Sequence, residues 1–194
     1  MSVVSRTIST LAGTRRKLDG GVLFGHTPRQ KWSQWMAPDL DNRVDIASRA
    51  LLVQQDGKNI LVLAGADALL APIPRACRCQ PAVSGLLESL AQHGLGEDDI
   101  DAVVLTHLHA PLSEELLERV REGEMPRLLF RKAHYLVGER HWVRARHPHP
   151  RDRELFISPL LHRLENSGRL ILIDGHSCDR LGNGWHFHFS DGYT

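Results

Sequence analysis

The segment Asp101-Ala-Val-Val-Leu-Thr-His-Leu-His-Ala-Pro-Leu-Ser113 indicates the fold more strongly than any other part of the chain. Its apolar residues 102–105 predict a strand that is buried on both faces, as in a sheet that is covered on both sides. His107 and His109 follow directly at the strand end. Side chains two residues apart in an extended segment point to the same side, so the two imidazoles can bind one metal ion.

A β-hairpin is predicted upstream of this segment. Residues 49–55 and 59–63 read as strands, and Asp56-Gly57 stands between them. Gly tolerates the positive φ that tight hairpin turns require, so Asp-Gly between two such runs is a strong hairpin pattern. Apolar spacing then predicts a helix over residues 83–93 that ends at Gly94.

The chain continues as an alternation of helices and strands. Ser113 is placed to cap a helix after the two histidines. Further strands are predicted at residues 127–130, 169–173 and 185–189, and helices at 138–146 and 155–165. This order predicts an α/β (α+β) fold with a mixed sheet. We expect one domain over residues 1–194, with an N-terminal arm (1–45) that begins with a strand and a basic turn, and a core (46–194).

The composition is that of a globular protein with a packed core. Of the 194 residues 42% are hydrophobic and 24% are charged. The formal net charge of +1 argues against a nucleic-acid partner. No apolar run reaches the roughly 20 residues of a membrane span. The three cysteines are an odd number, and Cys77 and Cys79 are too close for an easy bridge, which favours a reducing, cytoplasmic location.

Several segments, taken together and in order, resemble the metallo-β-lactamase superfamily, in the branch of quorum-quenching lactonases and methyl-parathion-hydrolase-like enzymes. They include Leu18-Asp-Gly-Gly-Val-Leu-Phe-Gly25, Asn59-Ile-Leu-Val-Leu-Ala-Gly65, Thr106-His-Leu-His109, Gly138-Glu-Arg-His-Trp142 and Ser190-Asp-Gly-Tyr-Thr194. The resemblance implies an αββα sandwich with an active site at the strand ends. There two metal ions, often zinc, share a hydroxide, because bound metal lowers the pKa of water.

The family's Thr-His-x-His-x-Asp-His signature keeps only its first half in this chain. His107 and His109 match the first two metal ligands, whereas Pro111 and Leu112 stand at the Asp and His positions and have no side-chain donor atom. A catalytic zinc site needs three protein ligands and an open position. Because the other ligands are gone and neutral imidazoles are easily satisfied locally, relic histidines hydrogen-bonded at a strand end are favoured, with a weak one-metal zinc site at His107 and His109 as the other interpretation.

Two further family positions have also changed. Leu63 stands where the family has the Asp of its hairpin strand, and Tyr193 stands where a Ser-x-Gly-His-Thr motif has its His. The changed positions predict a pocket that is more apolar than the family's metal site, with a phenol at its rim. The pocket residues are Leu63, Pro111, Leu112 and Tyr193. Because the sequence stops inside that motif, we expect a sandwich that is incomplete at its C-terminus.

Two functions follow from these substitutions. The first is a catalytically impaired pseudo-hydrolase that binds a small ligand or a partner. The alternative is a metal-dependent hydrolase of an ester or lactone with a reduced one-metal site, in which His107 and His109 hold the ion and Tyr193 ligates it or orients water. A third interpretation is that the chain is the N-terminal part of a longer protein. The related branch also implies a homodimer.

Other histidines and arginines are weaker candidates. His186 and His188 share one face of the predicted strand 185–189, and His147 and His149 lie between prolines. Each pair is more typical of a polar surface than of a metal site. Arg144, Arg146, Arg151 and Arg153 form a basic cluster that can meet an anion, although Asp152 and Glu154 neutralise part of it.

Overall fold

A computed structural model describes residues 5–64, 85–109, 116, 117 and 127–191. Its centre is one six-stranded mixed sheet with the strand order β1-β2-β3-β4-β5-β6. The strands are β1 (Arg6–Asp19), β2 (Arg43–Gln55), β3 (Lys58–Leu63), β4 (Ala102–Leu105), β5 (His134–Gly138) and β6 (Leu170–Ile173). β1, β2 and β3 are antiparallel neighbours, and β3 to β6 run parallel.

The antiparallel half confirms the predicted hairpin. Asp56 and Gly57 have φ values of 52° and 73°, as a two-residue turn with two left-handed positions requires. β2 begins at Arg43 and therefore extends further than predicted. The basic residues 15–17 lie inside β1, where the register with β2 shifts between Ala12 and Arg15, and not in a turn. Two short helices, α1 (Gly20–Phe24) and α2 (Arg29–Trp32), connect β1 to β2.

In the described part of the chain, three further helices lie between the parallel strands. They are α3 (Gly85–Gln92), α4 (Glu139–Arg146) and α5 (Ser158–Glu165). The predicted helix over 155–165 is divided, because residues 153–155 form a separate 3₁₀ turn and α5 starts at Ser158 with a proline in its first turn. Among the described residues no helix is long and apolar enough to cross a membrane.

Two strand predictions were wrong. In residues 127–130 the only pairing described is a single bridge between Leu128 and Leu117, and β5 lies a few residues later. The apolar run 128–130 is buried in the core, so its hydrophobicity reflects packing and not sheet pairing. Residues 185–189 form no strand. Trp185 and Phe187 pack on the face of the sheet, and His186 and His188 between and after them are exposed.

The two faces of the sheet are covered differently. On the helix face, Leu61, Val103 and Tyr135 pack in one core with buried residues of α3, α4 and α5. On the opposite face, Ile60, Val104 and Leu136 pack against residues 174–191, which we call the strap. The strap runs without a strand from the end of β6 and brings Leu181 and Phe187 onto the sheet.

The first part of the strap is fixed to the antiparallel half by polar contacts. Gln55, which is 2% exposed, donates from Nε2 to the carbonyl oxygen of Asn183 at 2.9 Å. Arg6 donates to the same carbonyl at 2.9 Å and lies over the Trp185 ring at 5.6 Å. Lys58 donates to the Arg180 carbonyl at 2.8 Å. These contacts hold the strap across the sheet so that its second part lies near the carboxyl ends of the parallel strands.

Candidate functional site

A cavity of about 810 Å³ lies at the carboxyl ends of the four parallel strands. Each strand supplies a wall residue near its end: Ala64 after β3, His107 after β4, Gly138 in β5 and Ile173 in β6. Parallel strands bring their carboxyl ends to one edge of a sheet, and ligands of α/β proteins commonly bind there. The strap closes part of the cavity with Phe187 and Phe189.

The two histidines of the sequence motif are brought together at this edge. Their ring centroids lie 4.9 Å apart and the rings meet at 65°. His107 lines the cavity, and the Oγ1 of Thr106 lies 2.9 Å from its Nδ1. His109 is only 1% exposed and packs against Phe156 at 5.1 Å between ring centroids. The pair therefore joins the cavity to the core of the helix face.

A third histidine, His141 of α4, completes this group. Its Nε2 accepts a hydrogen bond of 2.8 Å from the backbone N–H of Leu108, between the two motif histidines. Its ring centroid is 6.0 Å from that of His109. An Nε2 that accepts in a neutral imidazole places the ring proton on Nδ1. His141 thus holds the backbone of the loop between His107 and His109.

The sequence analysis did not select His141 as a site residue. His141 lies in the first turn of α4, directly after β5, and β5 is the parallel neighbour of β4. His141 lies in the segment Gly138-Glu-Arg-His-Trp142, which carries part of the resemblance, but its place in the site follows from topology: residues that follow adjacent parallel strands meet at one edge. That inference required β5 to be recognised as a strand, and the strand was predicted at residues 127–130 instead.

All three imidazoles are neutral at pH 7. Burial is the main cause that lowers the pKa of each from 6.5 to about 4. Repulsion within the group lowers the pKa values further: His109 acts on His107, His141 on His109, and His107 on His141. Neutral imidazoles have lone pairs for a metal ion or for a hydrogen-bond donor.

Among the described residues, the donors at this edge do not make up a two-metal zinc site. His141 uses its Nε2 lone pair for the Leu108 amide, so this nitrogen is not open to a metal ion. Pro111 and Leu112 lie outside the described residues, and neither side chain has a donor atom. Within residues 5–64, 85–109, 116, 117 and 127–191, no group of three or more His, Cys, Asp or Glu side chains can hold a metal ion.

Of the predicted pocket residues Leu63 and Tyr193, only Leu63 lies in the part of the chain that the structure describes. Leu63 is fully buried in the helix-face core, whereas the next residue, Ala64, lines the cavity. The alternation of side chains along β3 explains this, since the last strand residue points into the core. Tyr193 lies outside the described residues, so its predicted position at the rim stays a prediction.

The rim of the cavity carries two arginines from α4. Arg140 pairs with Asp191 of the strap at 2.8 Å, and both side chains are more than 70% exposed. Arg144 pairs with Asp152, whose side chain is 23% exposed. At Gly138 an added Cβ would lie 3.1 Å from Cε1 of Phe189, so the strap packs closely on the strand end. The helix and the strap thus meet above the cavity.

The remaining histidine and arginine candidates are surface groups. His176 and His186 stack at 5.1 Å, and His186 and His188 lie 4.7 Å apart, all exposed on the strap. The backbone N–H of Arg151 donates to Nδ1 of His149 at 3.2 Å, within an exposed turn. In the predicted basic cluster, Arg146 pairs with Glu165 at 2.8 Å in addition to the Arg144–Asp152 pair.

The chain is similar to known proteins in one stretch of its sequence and in its fold. A family model described as the metallo-beta-lactamase superfamily matches residues 44–111. A probable metal-dependent hydrolase from Staphylococcus aureus is similar with a TM-score of 0.69 and 23% identity, over 92% of this chain and 62% of that chain. No match was found among curated proteins.

Two further solved structures are similar to this chain. One is AidC, a dizinc quorum-quenching lactonase in complex with a product N-hexanoyl-L-homoserine, with a TM-score of 0.60, 16% identity, and coverage of 92% of this chain and 61% of that chain. The other is the hydrolase AbOPH in the beta lactamase superfamily, with a TM-score of 0.57 and 17% identity. The match covers 85% of this chain and 56% of that chain. This chain spans about three fifths of the length of the solved structures that it matches.

Proposed function

Because this chain has the metallo-β-lactamase fold and matches that superfamily over residues 44–111, we propose a function at its strand-end cavity. The chain binds a small organic molecule there and does not hydrolyse it by a two-metal mechanism. The observation that carries the proposal is the hydrogen bond from the Leu108 amide to Nε2 of His141. This bond uses the lone pair with which the third imidazole would otherwise bind a metal ion.

The cavity has the properties of a small-molecule site. Its volume of about 810 Å³ falls in the range of roughly 300–1,000 Å³ that is typical of ligand pockets. Buried apolar side chains form its floor and a few polar groups stand at its rim, which is the usual division between binding energy and orientation. The same edge of the sheet is where the resemblance places the family's active site.

The chemistry of the donor positions supports the loss of the two-metal mechanism. In that mechanism a metal-bound hydroxide is the nucleophile, and each ion needs its own protein ligands. In this chain Pro111 and Leu112 offer no donor atom, and the lone pair at Nε2 of His141 is already used. AidC is described as a dizinc enzyme. We propose that this chain differs from it in metal content while keeping a cavity at the same edge.

Metal content tests the proposal directly. The protein is purified without added metal, and zinc is measured by plasma mass spectrometry. A double variant, His107→Ala with His109→Ala, is compared with a matched control, His147→Ala with His149→Ala, in the exposed loop. We expect less than one equivalent of zinc in all three proteins. Two equivalents in the parent and the control, lost in the His107/His109 variant, would contradict the proposal.

One observation favours a second function, a hydrolase with one metal ion. His107 and His109 are neutral at pH 7 because their pKa values are lowered to about 4, and their rings lie 4.9 Å apart. Neutral imidazoles in such a pair can ligate one ion, provided that a third ligand such as Tyr193 completes the site. An ester or a lactone would then be the substrate class.

Turnover separates the two functions. Hydrolysis of p-nitrophenyl acetate and of an acyl lactone is measured with and without one equivalent of zinc. The one-metal function requires zinc-dependent turnover that is lost in His107→Ala. Turnover that His107→Ala leaves unchanged excludes this function.

A further inference from the structure

We infer that the cavity takes an organic anion: one carboxylate, or an equivalent monoanion, on an apolar body. Arg140 binds the anionic group, which takes the place now held by Asp191 of the strap. This inference rests on the proposed function, because it names the chemical class of the ligand for the same cavity.

The floor of the cavity is suited to an apolar body. Val104, Leu136 and Ile173 line it from three neighbouring strands, and they are 8%, 0% and 5% exposed. Phe187 and Phe189 of the strap line it from the other side. Burial of apolar surface contributes about 25 cal/mol per Å², so a ligand with an extended hydrocarbon or aromatic part gains most of its affinity here.

Among the described lining residues, the permanent cations are two arginines on one face of α4. Arg140 and Arg144 are four residues apart, so their side chains are neighbours on the helix surface. His141 also lines the cavity, but its Nε2 accepts a hydrogen bond from the Leu108 amide and so carries no proton. Attraction of an anion to this part of the wall therefore comes from the two guanidinium groups.

The partners of the two arginines differ in how firmly they are held. Asp152, the partner of Arg144, is 23% exposed and is fixed in the turn that precedes α5. Asp191, the partner of Arg140, is 72% exposed and lies near the end of the strap. Ion pairs between exposed side chains are weak, so an incoming carboxylate replaces Asp191 at little cost. Arg140 is thus the cation open to exchange.

The position of Asp191 also shows where the ligand's charge lies. Its carboxylate accepts from a terminal guanidinium nitrogen of Arg140 at 2.8 Å, at the rim of the apolar cavity. Two residues earlier in the chain, Phe189 packs on Gly138 at the end of β5. The end of the strap therefore presents an aromatic ring that lines the cavity and is 41% exposed, followed by a carboxylate at the rim. A ligand with the same two groups in the same order matches this arrangement.

A matched pair of fluorescent probes tests the inference. 1-Anilinonaphthalene-8-sulfonate carries a monoanion on an apolar body, and N-phenyl-1-naphthylamine has the same body without the charge. Both are titrated against the full chain and against Arg140→Gln and Asp191→Asn. Arg29→Gln is the control for the loss of a positive charge, because Arg29 is an exposed residue of α2. Decanoate and decanamide serve as competitors. Nuclear Overhauser effects between the probe and the methyl groups of Leu136 and Ile173 show where the probe binds.

We expect a charge-dependent result. Arg140→Gln weakens binding of the anionic probe about twofold to fivefold, because one exposed ion pair is lost. Asp191→Asn strengthens it, since the competing carboxylate is removed, and Arg29→Gln leaves it unchanged. The neutral probe binds all four proteins alike, and decanoate competes better than decanamide. Equal binding of both probes to every variant overturns the anion assignment but not the proposed function, whereas absence of both probes from the cavity overturns both.

Discussion

The two faces of the sheet differ in how they are covered, and the candidate site lies on the less densely packed one. Leu61, Val103 and Tyr135 on the helix face are fully buried under three helices. On the strap face Val62 and Ile171 remain half-buried, and the cover is a segment without a strand. Tight packing fixes the sheet, while the looser face leaves room for a cavity of about 810 Å³.

The motif histidines lie on the boundary between these two faces. His109 is buried against Phe156 of the helix-face core, and His107 lines the cavity. His141 joins them, because its Nε2 accepts a hydrogen bond from the Leu108 amide between the two histidines. The comparison shows that one side of the loop has become part of the core while the other side remains available to a ligand.

The largest effect is expected from a substitution on the helix face. Phe130 is fully buried, and Phe130→Ala should lower the free energy of unfolding by about 3–5 kcal/mol, because it leaves a cavity in a packed core. Phe187→Ala on the half-buried strap face should cost only about 1 kcal/mol. Urea denaturation measures both. Equal losses would show that the strap face is as tightly packed as the helix face.

A pH series tests the boundary between the faces. The pKa values of His107, His109 and His141 are about 4 in the folded chain and 6.5 ordinarily, so the unfolded chain takes up protons first as the pH falls. Stability should therefore be full above about pH 6.5 and should fall as the pH drops towards 4.

Urea unfolding at intervals from pH 7.5 to 4 checks this pH dependence, with His107→Gln expected to flatten the curve. The contribution of Asp39 to stability can be told apart from that of the histidines. Its pKa is lowered from 3.8 to about 2, so its contribution to the free energy of unfolding is lost only below about pH 4. A curve that is flat between pH 6.5 and 4 would contradict the burial of the three imidazoles.

The hydrogen bond of His141 should have a smaller effect. His141→Ala leaves the Leu108 N–H without its acceptor and should cost about 1–3 kcal/mol. His141→Gln offers a carbonyl oxygen as a substitute acceptor and should recover part of this loss. Urea denaturation gives the energies, and amide exchange at Leu108 reports the bond itself. Exchange that is equally slow in the parent and in His141→Ala would show that this bond is not formed.

The smallest effect is expected where the strap meets β5. In Gly138→Ala the new Cβ would lie 3.1 Å from Phe189, so the ring must move by a few tenths of an ångström. The free energy of unfolding should change by less than about 0.5 kcal/mol. Amide exchange should become faster in residues 187–191 and stay unchanged in residues 180–185, which Gln55, Arg6 and Lys58 hold. A uniform change along the strap would contradict this division.

The sequence predicted the parts of the fold that depend on local pattern. The turn at Asp56-Gly57 follows from backbone sterics, and β4 follows from a short apolar run between polar residues. Residues 185–189 of the strap were predicted as a strand, and aromatic residues alternate with histidines there. Such alternation also arises when an extended segment packs on a sheet. Local pattern does not distinguish these two cases.

The candidate site was predicted only in part, for a related reason. His107 and His109 are two residues apart, so their proximity is a local property of the chain. His141 comes from another strand end 32 residues beyond His109, and only the parallel pairing of β4 and β5 brings it close. Leu63 was assigned to the pocket from its place in a motif, but its strand face places it in the core.

Zinc titration followed by nuclear magnetic resonance of the histidine ring nitrogens tests the central claim most directly. The claim is that His107, His109 and His141 form a neutral group in which Nε2 of His141 is held by the Leu108 amide. We expect His141 in the Nδ1–H tautomer at pH 7 and all three sets of ring signals unmoved by equimolar zinc. Ring signals of His107 and His109 that shift together at one equivalent, in slow exchange, would contradict the account.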